Sequence, residues 1–162
     1  MAITPADHPF LTRAVDLAEQ ALQAGDEPFG SVLVSKDGEV LFEDHNHVAS
    51  GDHTQHPELA IARWAVASLS PEARSAATVY TSGEHCPMCA AAHAWVGLGR
   101  IVYASSSAQL VEWHRAWGVP AGPVAPLPVN TVAPGTQVTG PDEELSGQVR
   151  ELHARLHAVA GD

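Results

Sequence analysis

Three residues of this chain, His56, Cys86 and Cys89, are of types that hold a soft metal ion, and a fourth, Glu58, is of a type that moves protons. They fall in two short runs, His56-Pro57-Glu58 and Thr81-Ser82-Gly83-Glu84-His85-Cys86-Pro87-Met88-Cys89. A catalytic zinc takes three protein ligands and keeps a fourth position open for water. One imidazole and two thiolates supply that set and favour zinc over iron. Zinc lowers the pKa of its water from about 15.7 towards about 7, which makes hydroxide available at neutral pH. Glu58, two residues from the histidine, is placed beside the metal and not on it. From there a carboxylate can relay a proton from the water to a substrate atom. The chemistry indicated is hydrolysis by a metal-activated water with a carboxylate proton relay.

Each residue also has a plainer reading. Two thiols can simply be buried at a helix start, and a glutamate in a first helical turn is favoured by the dipole whether or not it does chemistry. His93 lies four residues after Cys89 on the same helical face. His56, Cys86, Cys89 and His93 could therefore close around a structural zinc with no open position. That would make the chain a zinc-stapled module serving a protein partner. His45, His47 and His53 read as solvated loop residues. His85 reads either as an exposed cap or as a pocket residue contacting substrate. Trp95 and Trp117 read as core, Trp113 as core or pocket wall, and His153 and His157 as surface positions.

Both runs need a frame to hold them. Apolar residues at Phe10, Ala14, Leu17, Ala18, Ala21 and Leu22 have helical spacing, and Gly25 supplies a stop. Residues 31–35 predict a strand, Asp37-Gly38 a two-residue hairpin turn, and residues 40–42 the return strand. A second helix begins at Pro57, where no amide donor is needed, and runs to about residue 69, with Pro71 closing it. Then come a strand at 78–81, an alanine-rich helix from 87 to about 96, a strand at 100–104 and a weak helix at 108–117. The Pro-rich segment 118–141 predicts an extended loop with one short edge strand. Residues 143–159 predict an amphipathic helix with Leu145, Val149, Leu152, Leu156 and Val159 on one stripe. This order makes residues 1–162 a single α/β domain on a mixed sheet, with a parallel strand–helix–strand crossover from 78 to 104. Both chemical runs then fall where a helix begins, and the positive end of a helix favours thiolates.

Composition narrows the substrate. The chain has 162 residues and a formal net charge of −11, with only eight Lys and Arg. Nucleic-acid affinity rests on cations that neutralise phosphates, so the charge argues against a polynucleotide. No apolar run approaches the ~20 residues of a membrane span. With no basic or apolar start to suggest a secretory signal, the expected location is the cytoplasm. The two cysteines sit three residues apart, a poor spacing for a disulfide and a good one for metal.

The pairing of His56-Pro57-Glu58 with Cys86-Pro87-Met88-Cys89 resembles the H-x-E and P-C-x-x-C signature of zinc deaminases, in which the glutamate is general acid and base and not a ligand. Over roughly residues 10–104 the chain resembles the cytidine and deoxycytidylate deaminase-like superfamily. Glu27-Pro28-Phe29-Gly30, Val32 to Val34, Asp37-Gly38, Asn46, Glu84 and Pro87-Met88 most resemble the branch of bacterial guanine deaminases and tRNA adenosine deaminases. The resemblance implies a three-layer α/β/α cytidine deaminase-like fold with a mixed five-stranded sheet and a Zn2+ cofactor. It implies that Asn46 hydrogen-bonds the substrate ring and that Phe29 lines or caps the pocket. Pro57, Glu84, His85 and Trp113 join them as substrate-side candidates. It also implies a homodimer with sites near the interface. Two positions differ from the family pattern: Pro57 replaces a small residue and His85 replaces a proline. The acidic residue that guanine deaminases carry after the last core strand has no clean counterpart in 105–115, where Glu112 is nearest. The expected activity is deamination of a nucleobase-like amino-heterocycle: guanine or a related aminopurine, a pterin, a triazine or an aminopyrimidine. A nucleoside substrate is the alternative, followed by tRNA adenosine.

Overall fold

The computed structural model describes residues 2–158. One edge of its sheet is the hairpin of β1 (Gly30–Val34) and β2 (Val40–His45), turned at Asp37-Gly38 as expected. β1 also pairs antiparallel with β3 (Thr78–Gly83), setting Ser31 opposite Thr81. β3 and β4 (Arg100–Ser105) run parallel, because the helix between them returns the backbone to the same end of the sheet. A two-residue strand, β5 (Val138–Thr139), pairs parallel with β4 in the proline-rich segment. The sheet is therefore mixed and five-stranded, in the order β2-β1-β3-β4-β5.

Alternation along the strands divides the core between two helical layers. Val32, Val34, Tyr80, Val102 and Ala104 face α1 (His8–Gln23) and the last helix, α7 (Glu143–Leu156). On the opposite face, Leu33 and Val79 meet Ile61, Ala62 and Ala65 of α2 (Pro57–Ser68). Ile101 and Tyr103 meet Ala90 of α4 (Pro87–Trp95), the crossover helix. α1 lies so close to β1 that a Cβ on Gly30 would collide with the Ala14 carbonyl and the Leu17 side chain. Only glycine fits there. Among the described residues, no helix is long and apolar enough to cross a membrane.

The structure corrects several expectations. Pro71 stops α2 and also opens a further helix, α3 (Pro71–Ala76), whose N-cap Ser70 accepts from the Ala73 amide. α5 (Ser107–Ala116) is followed by a four-residue helix, α6 (Val129–Val132), inside the segment expected to be extended. Trp95, expected in the core, is 89% exposed. The inward stripe of α4 is Cys89, Ala90 and His93, and Trp95 lies about 200° around the helix from His93. His153, expected on the surface, is only 2% exposed. It follows Val149 by one helical turn and shares its inward face. Trp117 is half-buried, not core. Val159, the last residue of the expected stripe, lies outside the described residues.

Candidate active site

The two chemical runs are brought together by a repeated local device. His56 and Cys86 are the N-cap residues of α2 and α4, each with extended backbone, and each is followed by a proline that opens the helix. A proline there loses no hydrogen bond, and its fixed φ suits the first turn. Cys89 sits one turn into α4, on the side of Cys86. The result is that His56 Nδ1 lies 3.6 Å from Cys86 Sγ and 3.6 Å from Cys89 Sγ. Zinc ligated tetrahedrally by imidazole and thiolate at ordinary bond lengths requires an N···S separation of about 3.6 Å. The donor set and its spacing therefore fit the metal. His93 stands apart: its Nε2–H donates to the Gly99 carbonyl at 2.8 Å, and the group that could hold a metal ion here is His56, Cys86 and Cys89.

The thiols share charge even without a cation. Cys86 is lowered to about 4, chiefly by the hydrogen bond from Cys89 and then by His56, against the opposing effect of burial. That same bond, with burial, pushes Cys89 up. His56 is raised, first by its contact with Cys86. A bound divalent cation removes the remaining thiol proton, since thiolate is the ligand form.

Glu58 stands in the first turn of α2 and is 6% exposed. Burial is the main cause that raises its pKa. The Ser31 and Thr81 hydroxyls each lie 3.0 Å from its Oε1 and 2.9 Å from one another. Their adjacency follows from the β1–β3 register, which sets these two residues face to face. Sequence reasoning passed over both. The available signal was Ser31, a hydroxyl in an otherwise apolar strand; Thr81 is one of several hydroxyl residues in β3 and does not stand out.

The substrate-side candidates divide into two groups. Asn46 is fully buried; its backbone N–H donates to Phe29 O at 2.9 Å and its Oδ1 accepts from Val48 N at 3.0 Å, while its Nδ2 has no partner. The Phe29 ring lies where a side chain at Gly83 would stand, and Pro57 is buried at the head of α2. His85 is buried and packs edge-on against His93, at 5.3 Å between ring centres. Burial, and then His93, hold it well below the usual imidazole range. Glu84 is committed elsewhere: Oε2 accepts from Ser107 N and Oε1 from Val129 N, both at 2.9 Å. It ties the loop before Cys86 to the starts of α5 and α6. Trp113 packs against the core beneath α1 and α7. Glu112 is exposed.

The zinc-binding region of cytidine and deoxycytidylate deaminases matches residues 4–105. The chain belongs to the cytidine and deoxycytidylate deaminase family. Within this deaminase family, a probable cytosine deaminase of Schizosaccharomyces pombe is 30% identical over 131 residues, 80% of this chain and 76% of that one. The guanine deaminase of Bacillus subtilis is 39% identical over 105 residues, 64% of this chain and 67% of its own. A protein solved in complex with 2,6-diaminopurine shares the fold, with a TM-score of 0.73 at 22% identity over 99% of this chain and 86% of the other. The deaminase match ends at Ser105, the last residue of β4, so α5, α6 and α7 lie beyond it.

Proposed function

We propose that this protein is a zinc-dependent hydrolytic deaminase of a nucleobase-like amino-heterocycle, converting ring–NH2 and water into ring C=O and ammonia. The observation that carries the reading is the triangle of His56, Cys86 and Cys89, with a buried Glu58 two residues from its histidine corner. When bound there, zinc lowers the pKa of a water ligand to about 7 and supplies a nucleophile at neutral pH. Ser31 and Thr81 fix Oε1 of Glu58, which leaves Oε2 for the reacting atoms. Burial raises the pKa of this carboxyl, which brings it nearer to the operating pH, where a general acid and base works best. Glu58 takes a proton from the attacking water, delivers it to the ring nitrogen, and then protonates the departing amine. The unpartnered Nδ2 of Asn46 donates to the ring, and Phe29 and Pro57 line the pocket.

A free base is favoured over a nucleoside because the named relatives act on cytosine or guanine. Binding to tRNA is disfavoured by the cations themselves: Arg13, Lys36, Arg100 and Arg155 are each paired with a carboxylate. The same reading carries a homodimer, which sedimentation would report as twice the 17.0 kDa chain mass.

The test is ammonia release by the zinc-quantified protein from guanine, adenine, cytosine, isocytosine, pterin, aminotriazines and the corresponding nucleosides. Turnover of a free base, absent in Glu58→Gln, supports the proposal. Preference for nucleosides would move the substrate to that class. No turnover on any of them, together with unfolding on chelation, would replace the enzyme reading with a structural zinc.

A further inference from the structure

Asp26, His45 and His47 bring one carboxylate oxygen and two ring nitrogens within 4.8 Å of one another. Among the described residues, only His56, Cys86 and Cys89 form another such group. The hydrogen bonds around the second group fix both imidazoles in a metal-ready tautomer. His45 Nδ1 lies 2.8 Å from the Asn46 carbonyl oxygen, which can only accept, so the proton is on Nδ1 and Nε2 carries a lone pair. His47 Nε2 lies 2.8 Å from Asp44 Oδ1. Paired with an ionised carboxylate, Nε2 is the donor and Nδ1 of His47 keeps its lone pair. Metal-binding histidines commonly donate their second nitrogen to a carbonyl or carboxylate in this way. Asp26 is 6% exposed, and its Oδ1 is held by the Ala49 amide at 2.8 Å. The two rings lie 4.4 Å apart between centres.

We infer that Asp26, His45 and His47 form a second metal site, which takes a divalent transition ion through two imidazoles and one carboxylate. With no thiolate and with positions left for water, it binds less tightly than His56, Cys86 and Cys89, and it selects borderline ions over magnesium or calcium. The site is distinct from the proposed catalytic centre. It would join the turn after α1, which carries Asp26, to the segment that carries Asn46.

Cobalt separates the two sites, because thiolate ligation gives a sulfur-to-cobalt charge-transfer band and ligation by nitrogen and oxygen does not. Untagged protein would be titrated with Co2+, and zinc per chain measured after equilibration at micromolar free Zn2+. The expected result is two ions per chain in the wild type. His47→Ala and Asp26→Asn should each retain one ion and the undiminished charge-transfer band. His47 is partly exposed, and asparagine keeps an acceptor for Ala49 N, so both variants should fold, which circular dichroism would verify. Asp44→Ala, which frees the His47 tautomer, should weaken the second site by about 10–100-fold. A single ion per chain in the wild type, or a second ion that persists in the His45→Ala/His47→Ala double variant, would overturn the assignment.

Discussion

The part of the chain that carries the deaminase motifs, residues 4–105, and the part that follows, residues 107–158, satisfy their buried polar groups differently. In the first, two networks of buried polar side chains join strands to helices, although Asn46 Nδ2, Arg74 Nε, His85 Nδ1 and His93 Nδ1 have no partner. Ser31, Thr81 and Glu58 form one group, and Tyr80 and Arg100 both donate to Asp7 in another. In the second, α7 buries Leu145, Val149 and Leu152 over Val102 and Ala104, yet it also buries His153 with neither ring nitrogen paired. Neighbouring His114 has an unpaired Nε2 as well. The two parts meet through Glu84, whose carboxylate holds backbone amides of α5 and α6. The first region thus concentrates chemistry, and the second supplies cover whose cohesion is mostly apolar.

Substitutions should separate these roles. Glu58→Gln should lower kcat by about 10²–10⁴-fold, the usual worth of a general acid and base, while zinc content and melting temperature hold. Steady-state kinetics beside metal analysis would check it, and a variant that keeps most of its activity would remove the proton-transfer role. Leu152→Ala should cost about 2–5 kcal/mol of stability in urea denaturation, with the reaction chemistry intact in the folded fraction. A loss under ~1 kcal/mol would mean that α7 is not an integral part of the core.

A smaller effect should appear with pH. Burial, then His114 and His157, lower the His153 pKa from 6.5 to about 3. The unfolded chain takes up this proton before the folded one does, so stability is lost as pH falls below 6.5 towards 3. At about 1.4 kcal/mol per pH unit, the wild type should lose about 2 kcal/mol more than His153→Leu by pH 5. Parallel stability curves for the two proteins between pH 7 and pH 5 would show that His153 is not held neutral. The smallest change is expected at Trp95→Ser, within about 0.5 kcal/mol in dilute protein, because the ring is 89% exposed. A larger loss that grows with protein concentration would place Trp95 in a contact between chains.

Much of this was legible in the residues. His56, Glu58, Cys86 and Cys89 announced themselves by type and spacing, and the strands by short apolar runs around Asp37-Gly38. α3 and α6 were missed because six and four residues are too short to display a helical period, although Ser70-Pro71 is a cap followed by a first-turn proline. Trp95 and His153 were placed on the wrong sides because residue type was weighed above helical phase. His85 was left between solvent and pocket, and burial of its loop beneath α4 decided its exposure.

The sequence by itself determined that His56, Cys86 and Cys89 could bind metal and that two helix starts would present them, because ligand chemistry, caps and first-turn prolines act within a few residues. Only the tertiary structure decided that His56 meets two sulfurs at 3.6 Å, that Ser31 and Thr81 converge beneath Glu58, and that His93 turns away to Gly99. These contacts depend on strand register and on the placement of α2 beside α4. Residues 23 to 50 positions apart in the chain are joined there by the packing of the whole sheet, which no local pattern encodes.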